Sequence, residues 1–235
     1  MPGGASLPVR ADFDALRALA RRDGTLDLTG WDAATAVHPV DLRLGTVAVD
    51  RRAVDAMLAG LAMDETAGVL MDPRPLRALA PALAHAVLAF DDAASAGVAA
   101  QLIGAGPGAT PAGDDVVVGV AAGLLACGAV DAAATLRAAV RPLLERTARA
   151  SRHDLRAALA GEFSEHAHLL VGALRHPGLV AAALRRARAW GATSGFDLAA
   201  GVAWSTAAAS GTRGGAGAGA SPEPVPSHAR ERRCA

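Results

Sequence analysis

Residues 114–129, DDVVVGVAAGLLACGA, constrain the fold more than any other stretch. Behind the two aspartates the segment is apolar nearly all round, so a helix there has no face for water and must be buried among other helices. The apolar run from Val116 to Val130 falls short of the roughly 20 residues a membrane span needs, and it is rich in Gly and Ala. It predicts a central core helix rather than a membrane one. Its surroundings must be aliphatic, because aromatics make up only 3% of the 235 residues and Tyr is absent.

The sequence after Pro75 offers helices to surround it. Leu76 to Phe90 is Ala- and Leu-rich and passes through Pro81; Asp91 and Asp92 then open a helix to Ile103. Asp131 to Gly161 is a long helical stretch with Pro142 as a kink or restart. His166 to Leu174 and Leu179 to Trp190 follow around the turn at His176–Gly178, and a last helix runs to about Ala209.

The N-terminal third has a different texture. Phe13 to Arg22 keeps helical spacing, but Thr25–Gly30 and Val40–Val49 alternate apolar and polar residues as half-buried strands do. Asp50 can cap a helix through Leu61. The expected fold class is therefore α+β. A small β-containing part over residues 1–75 precedes a predominantly α-helical domain over 76–210. A tail over 211–235 buries almost nothing and is expected to be disordered.

Charge and cysteine content remove several functions. The 23 basic residues are all Arg, are scattered, and are balanced by 23 acidic ones, which leaves no footprint for nucleic acid. Two cysteines, Cys127 and Cys234, cannot build a disulfide framework or a Cys-rich zinc site. The N-terminus lacks the basic start and apolar run of a secretory signal. These features predict a soluble cytoplasmic protein with no membrane partner.

The chemistry concentrates where glycine loops enter helices. In Leu102 to Asp115, LIGAGPGATPAGDD, Gly104, Gly106, Pro107 and Gly108 shape an irregular backbone able to approach a ligand closely. Thr110 is placed to cap the core helix and Pro111 to be its first residue. The helix start then offers N–H groups to an anion. The loop is neither a Rossmann fingerprint nor a P-loop, since the glycine spacing is wrong and no Lys is present. Carboxylates in a first turn complement the helix dipole. For two adjacent ones, Asp114 and Asp115, heading a wholly buried helix, a structural role and contact with substrate or metal fit equally well.

Thr193-Ser194-Gly195-Phe196-Asp197 is a second polar, Gly-containing helix start, with Ser194 and Asp197 spaced as an S-x-x-D cap. Two such N-termini converging would make a carboxylate or phosphate cradle. Arg156 is suited to pair bidentately with the same anions. His166, His168 and Glu165 lack the spacing of a metal site, so no metal ligand is assigned.

Together these motifs resemble one family. GAGPGATPAGDD resembles the G-x-GPG-L-TPS-x-DD signature of the AllH-like family, long a domain of unknown function and now linked to a subunit of oxamate carbamoyltransferase. Ser151, the Leu155–Arg156 pair and Gly161-x-Phe163 match its second block. Gly191-x-Thr193-Ser194-Gly195-x-Asp197, with Gly201 beyond, matches its third. Ala109 and Ala112 stand where the signature has Leu and a Ser-type residue.

The resemblance, over roughly Leu102 to Trp204, implies a part in purine-derived nitrogen catabolism. Carbamoyl transfer from oxalurate to phosphate would yield oxamate and carbamoyl phosphate, in an assembly of several different subunits. Asp114 and Asp115 are then the catalytic candidates. Gly106, Gly108, Thr110, Ser151, Arg156, Thr193, Ser194, Gly195 and Asp197 are the candidates for contact with a small carboxylate or phosphate. No cofactor is specified. A non-catalytic helical partner subunit and a stand-alone enzyme on a related small carboxylate are the alternative readings.

Overall fold

The computed structural model describes residues 41–63 and 72–216. The helix expected at Phe13–Arg22, the strand at Thr25–Gly30 and residues 217–235 of the tail lie outside them. The helices are α1 (Arg51–Ala62), α2 (Arg74–Arg77), α3 (Ala80–Leu88), α4 (Asp92–Leu102), α5 (Ala112–Ala126) and α6 (Val130–Val140). A 3-10 turn (Arg141–Arg146) leads into α7 (Arg149–Leu159), α8 (Glu165–Ala173), α9 (Pro177–Arg188) and α10 (Ser194–Ala216). Pro142 falls in the 3-10 turn, so the long stretch after Asp131 is two helices rather than one kinked helix. The last helix passes Ala209 and reaches Ala216.

Helix α5 occupies the centre, with α10 laid along it and α4, α6, α7 and α8 around it. Val116, Val117, Val120 and Leu124 are fully buried, and each such side chain contributes roughly 1.5–3 kcal/mol. The α5–α10 crossing depends on glycine. A Cβ on Gly119 would fall on the Leu198 carbonyl and 2.9 Å from the Gly201 Cα, while one on Gly201 would fall on the Val116 carbonyl. Further along, Gly123 faces Val202 and Ser205. The contacts advance together along both helices, so the two run parallel and start side by side. Their positive dipole ends point the same way.

The α+β expectation is overturned: among the described residues there is no strand, only an isolated antiparallel bridge between Arg43 and Glu162. Residues 41–50 are extended, and Leu44, Val47 and Val49 do pack on the core as their alternation predicts. Their backbone partners are helix ends instead of a second strand. Leu44 N–H donates to Gly161 O (3.1 Å), Val47 N–H to Ala126 O (2.9 Å) and Asp50 N–H to Leu174 O (2.8 Å). Carbonyls at helix C-termini lack intrahelical donors, so an extended chain can satisfy them as well as a sheet neighbour can. Among the described residues no helix is long and apolar enough to cross a membrane.

Candidate functional site at two helix starts

The loop from Ile103 to Pro111 is folded back on its own helix. Gly104, Gly106 and Gly108 all take positive φ (77°, 117° and 98°), which side chains rarely adopt. Gly113 N–H donates to Ala105 O at 2.9 Å, and a Cβ on Gly113 would strike the Leu102 carbonyl. The loop tip at Gly108 is exposed, with nothing within 4 Å of a Cβ placed there.

Asp114 ties this loop down. It is fully buried and accepts from Gly104 N–H (2.8 Å) on Oδ1 and from the Ser151 hydroxyl (2.6 Å) and the Thr147 hydroxyl on Oδ2. Three donors from the loop, the end of the 3-10 turn and α7 make it a structural knot. Ser151 is therefore seated behind Asp114, in the interior.

The second helix start repeats the device. In both α5 and α10 the second residue is a glycine against the carbonyl of the preceding helix, Leu102 for Gly113 and Ala187 for Gly195. In both, the fourth residue is an aspartate, Asp115 and Asp197. The parallel packing joins the two starts: Thr110 Oγ1 and Ser194 Oγ lie 3.3 Å apart, both half-buried. Thr110 is thus engaged across the interface rather than as a cap. Pro111 takes the cap position, so α5 starts at Ala112 instead of Pro111. Ser194 is the first residue of α10, with Thr193 O accepting from Phe196 and Asp197 N–H (both 3.0 Å), so the expected S-x-x-D box is not formed. Asp197 instead turns inward.

The two fourth-position aspartates have different fates. Asp197 is fully buried and ion-paired with Arg77, Nε to Oδ1 at 2.6 Å. Arg77 comes from α2, and its guanidinium lies 5.6 Å from the Phe196 ring centroid, within cation–π range. Asp115 is 7% exposed, and its Oδ2 has no hydrogen-bond partner. Burial pushes the Asp115 carboxyl up to about 8, and the charges of Asp197, Asp114 and Asp154 add to that. The Ser194 hydroxyl opposes the rise through a hydrogen bond. The arrangement is a buried carboxyl that holds a proton near neutrality, beside two hydroxyls and two helix N-termini. It can donate or accept a proton and can bind an anion.

Arg156 is on α7, the helix that also carries Ser151. It is exposed and reaches Glu145 at 3.3 Å, where Arg152 also pairs. His166 stacks on Trp190 with centroids 4.3 Å apart, and burial lowers its pKa. His168 Nε2 lies 3.1 Å from Leu42 O, so the two histidines face different neighbours. Among the described residues no group of three or more His, Cys, Asp or Glu could hold a metal ion. Arg77 is not singled out by any sequence motif. The signal it does carry is its register with Ala80, Ala84 and Val87, an arginine on a stripe that is otherwise apolar and buried.

Residues 102–206 match the family described as oxamate carbamoyltransferase subunit AllH. Over that span the chain is similar to the AllH family. Comparison with curated proteins and with solved structures finds no match. The AllH span holds both helix starts, with Thr110, Asp114, Asp115, Ser194 and Asp197, while Arg77 lies before it.

Proposed function

We infer that this chain is a subunit of an oxamate carbamoyltransferase assembly and that the paired starts of α5 and α10 bind its small anionic substrate. The observation that carries the reading is Asp115: buried, with Oδ2 unpaired, beside the Thr110 and Ser194 hydroxyls. A buried polar atom left without a partner costs about 1–3 kcal/mol. A substrate that supplies the partner recovers that cost.

In the direction that forms carbamoyl phosphate, a phosphate oxygen attacks the carbamoyl carbon of oxalurate. The bond from that carbon to the oxamate nitrogen breaks, and the nitrogen takes a proton. Asp115 in its acid form donates that proton and accepts the one that hydrogen phosphate gives up, so protons balance over the turnover. The Thr110 and Ser194 hydroxyls and the positive dipole ends of the two parallel helices face the oxyanion and the carboxylate. Asp114, with both oxygens occupied, positions the loop rather than touching substrate. Thr193 and Gly195 shape the α10 start, and Gly106 and Gly108 the α5 loop. On this reading the chain works in the cytoplasm, in the breakdown of purine nitrogen, with other subunits as partners.

The test is thermal unfolding of the chain, alone and with whatever co-purifies at native expression, against oxalurate, oxamate, carbamoyl phosphate and inorganic phosphate. At 100 times Kd a ligand specific to the native state adds about 2.7 kcal/mol, a change in Tm easily resolved. Asp115→Asn should abolish most of it. If no compound raises Tm in either preparation, the assignment fails.

A further inference from the structure

A cavity of about 250 Å³ opens toward the other end of α5 from the paired helix starts. Ala121 and Leu125, which line it, sit roughly 9 and 15 Å further along the helix axis than Asp115. We propose that this cavity binds a small organic acid, with the carboxylate held by Arg43 and Arg137 and a short aliphatic body against Leu44, Leu125 and Ala133. It shares no residue with the site at the helix starts and stands independently of the function read there.

Four parts of the chain meet around the cavity: the extended segment at Arg43 and Leu44, α5, α6 at Ala133 and Arg137, and the end of α7. Ala121, Ala133 and Ala158 are buried and Leu44 and Leu125 half-buried, so the walls are aliphatic. The charged side chains lining it are two exposed arginines. Arg137 donates through Nε to Leu159 O at 2.8 Å. Among the described residues neither guanidinium is in an ion pair, and that of Arg43 makes no hydrogen bond. Glu162 stands opposite Arg43 in the backbone bridge without pairing with it, and Asp41 accepts from the Arg43 backbone N–H at 2.9 Å.

Helix capping does not account for both cations. The carbonyl ends of α5 and α7 carry about half a negative charge each, enough to call for one arginine, and Arg137 meets that need with a single N–H. A guanidinium has five donors in a planar fork that matches a carboxylate, so most of the donors here are uncommitted. Drug-sized ligands fill about 300–1,000 Å³. This smaller cavity suits an acid with only a few carbons.

Methyl NMR of the full chain, labelled at Ala and Leu, reads the site with butyrate as the probe. Butyrate should shift the Leu44, Leu125 and Ala133 methyls saturably and bind about fourfold tighter than propionate, the effect of one more buried methylene. Arg43→Gln has no described side-chain bond to lose and should weaken butyrate about tenfold or more, as should Arg137→Gln. Inorganic phosphate should bind more weakly because it leaves the aliphatic walls bare, and butylamine because the arginines repel it. Asp115→Asn should leave the butyrate curve unchanged. No saturable shift at the three methyls overturns the proposal, as does butylamine matching butyrate or Arg43→Gln binding like wild type. Shifts confined to methyls around Thr110 and Ser194, and lost in Asp115→Asn, would put the acid at the helix starts and overturn it equally. Failure of oxalurate and oxamate to bind would count against the assigned substrates alone, so the two readings fail separately.

Discussion

The starts of α5 and α10 are built alike and finished differently. Each has a glycine against a preceding carbonyl and an aspartate one turn in, and the two helices run side by side from there. At α10 the aspartate is ion-paired with Arg77; at α5 the equivalent Asp115 faces other carboxylates and a serine hydroxyl. The difference separates stability from chemistry. A paired buried charge holds the structure, and an unpaired one is a site of stored cost that a ligand or a proton can relieve. Asp114, adjacent in sequence to Asp115, makes the same contrast within one helix, since three donors hold it in place.

The crossing that aligns the two starts is the first place to break the comparison. Gly119→Val would push branched carbons into the Leu198 backbone, where no flexible side chain can give way. Loss of cooperative folding is expected, a destabilisation above about 4 kcal/mol by denaturant titration. Next in size, Asp114→Ala should cost about 3 kcal/mol or more, because it strands the Gly104 N–H and the Thr147 and Ser151 hydroxyls in the interior.

Asp115→Asn should have the opposite sign. The Asp115 carboxyl sits above its ordinary 3.8, at about 8, so between those values the native state binds the proton and the unfolded state does not. Native stability therefore falls as pH rises from about 4 to 8 and levels off beyond, with a slope of at most about 1.4 kcal/mol for each pH unit crossed. Asp115→Asn removes that slope, so it should melt higher than wild type at pH 8.5 and converge with it near pH 4. A variant melting lower at pH 8.5 would refute the unpaired state. Asp197→Asn, by contrast, should melt lower at neutral pH, since it leaves Arg77 buried without its carboxylate. The smallest effect belongs to Arg156→Ala. Its pair with Glu145 is exposed on both sides, so stability should change by less than about 1 kcal/mol and ligand-induced stabilisation not at all.

Much of this is legible in the chain. The all-round apolarity of residues 116–126 places α5 at the centre, and two glycine-led helix starts do meet at Thr110 and Ser194. Alternation at 41–49 marks an extended, half-buried segment correctly but says nothing about its hydrogen-bond partners, so helix termini pass for a sheet. The exposed pair of Arg156 with Glu145 is not legible, because a motif fixes a residue's helix and not the direction it faces. Arg77 goes unseen because its partner lies 120 residues away, a separation no local pattern encodes.

The extended segment before α1 has one more consequence. Its amides at Leu44, Val47 and Asp50 close onto carbonyls that follow α7, end α5 and follow α8. It forms no ladder of its own, so its order is borrowed from three helices that must already have ended in the right places. In hydrogen exchange those three amides should behave as reporters of the bundle's assembly. They should be protected only while all three helix ends are held together, and released at once when any one of them lets go.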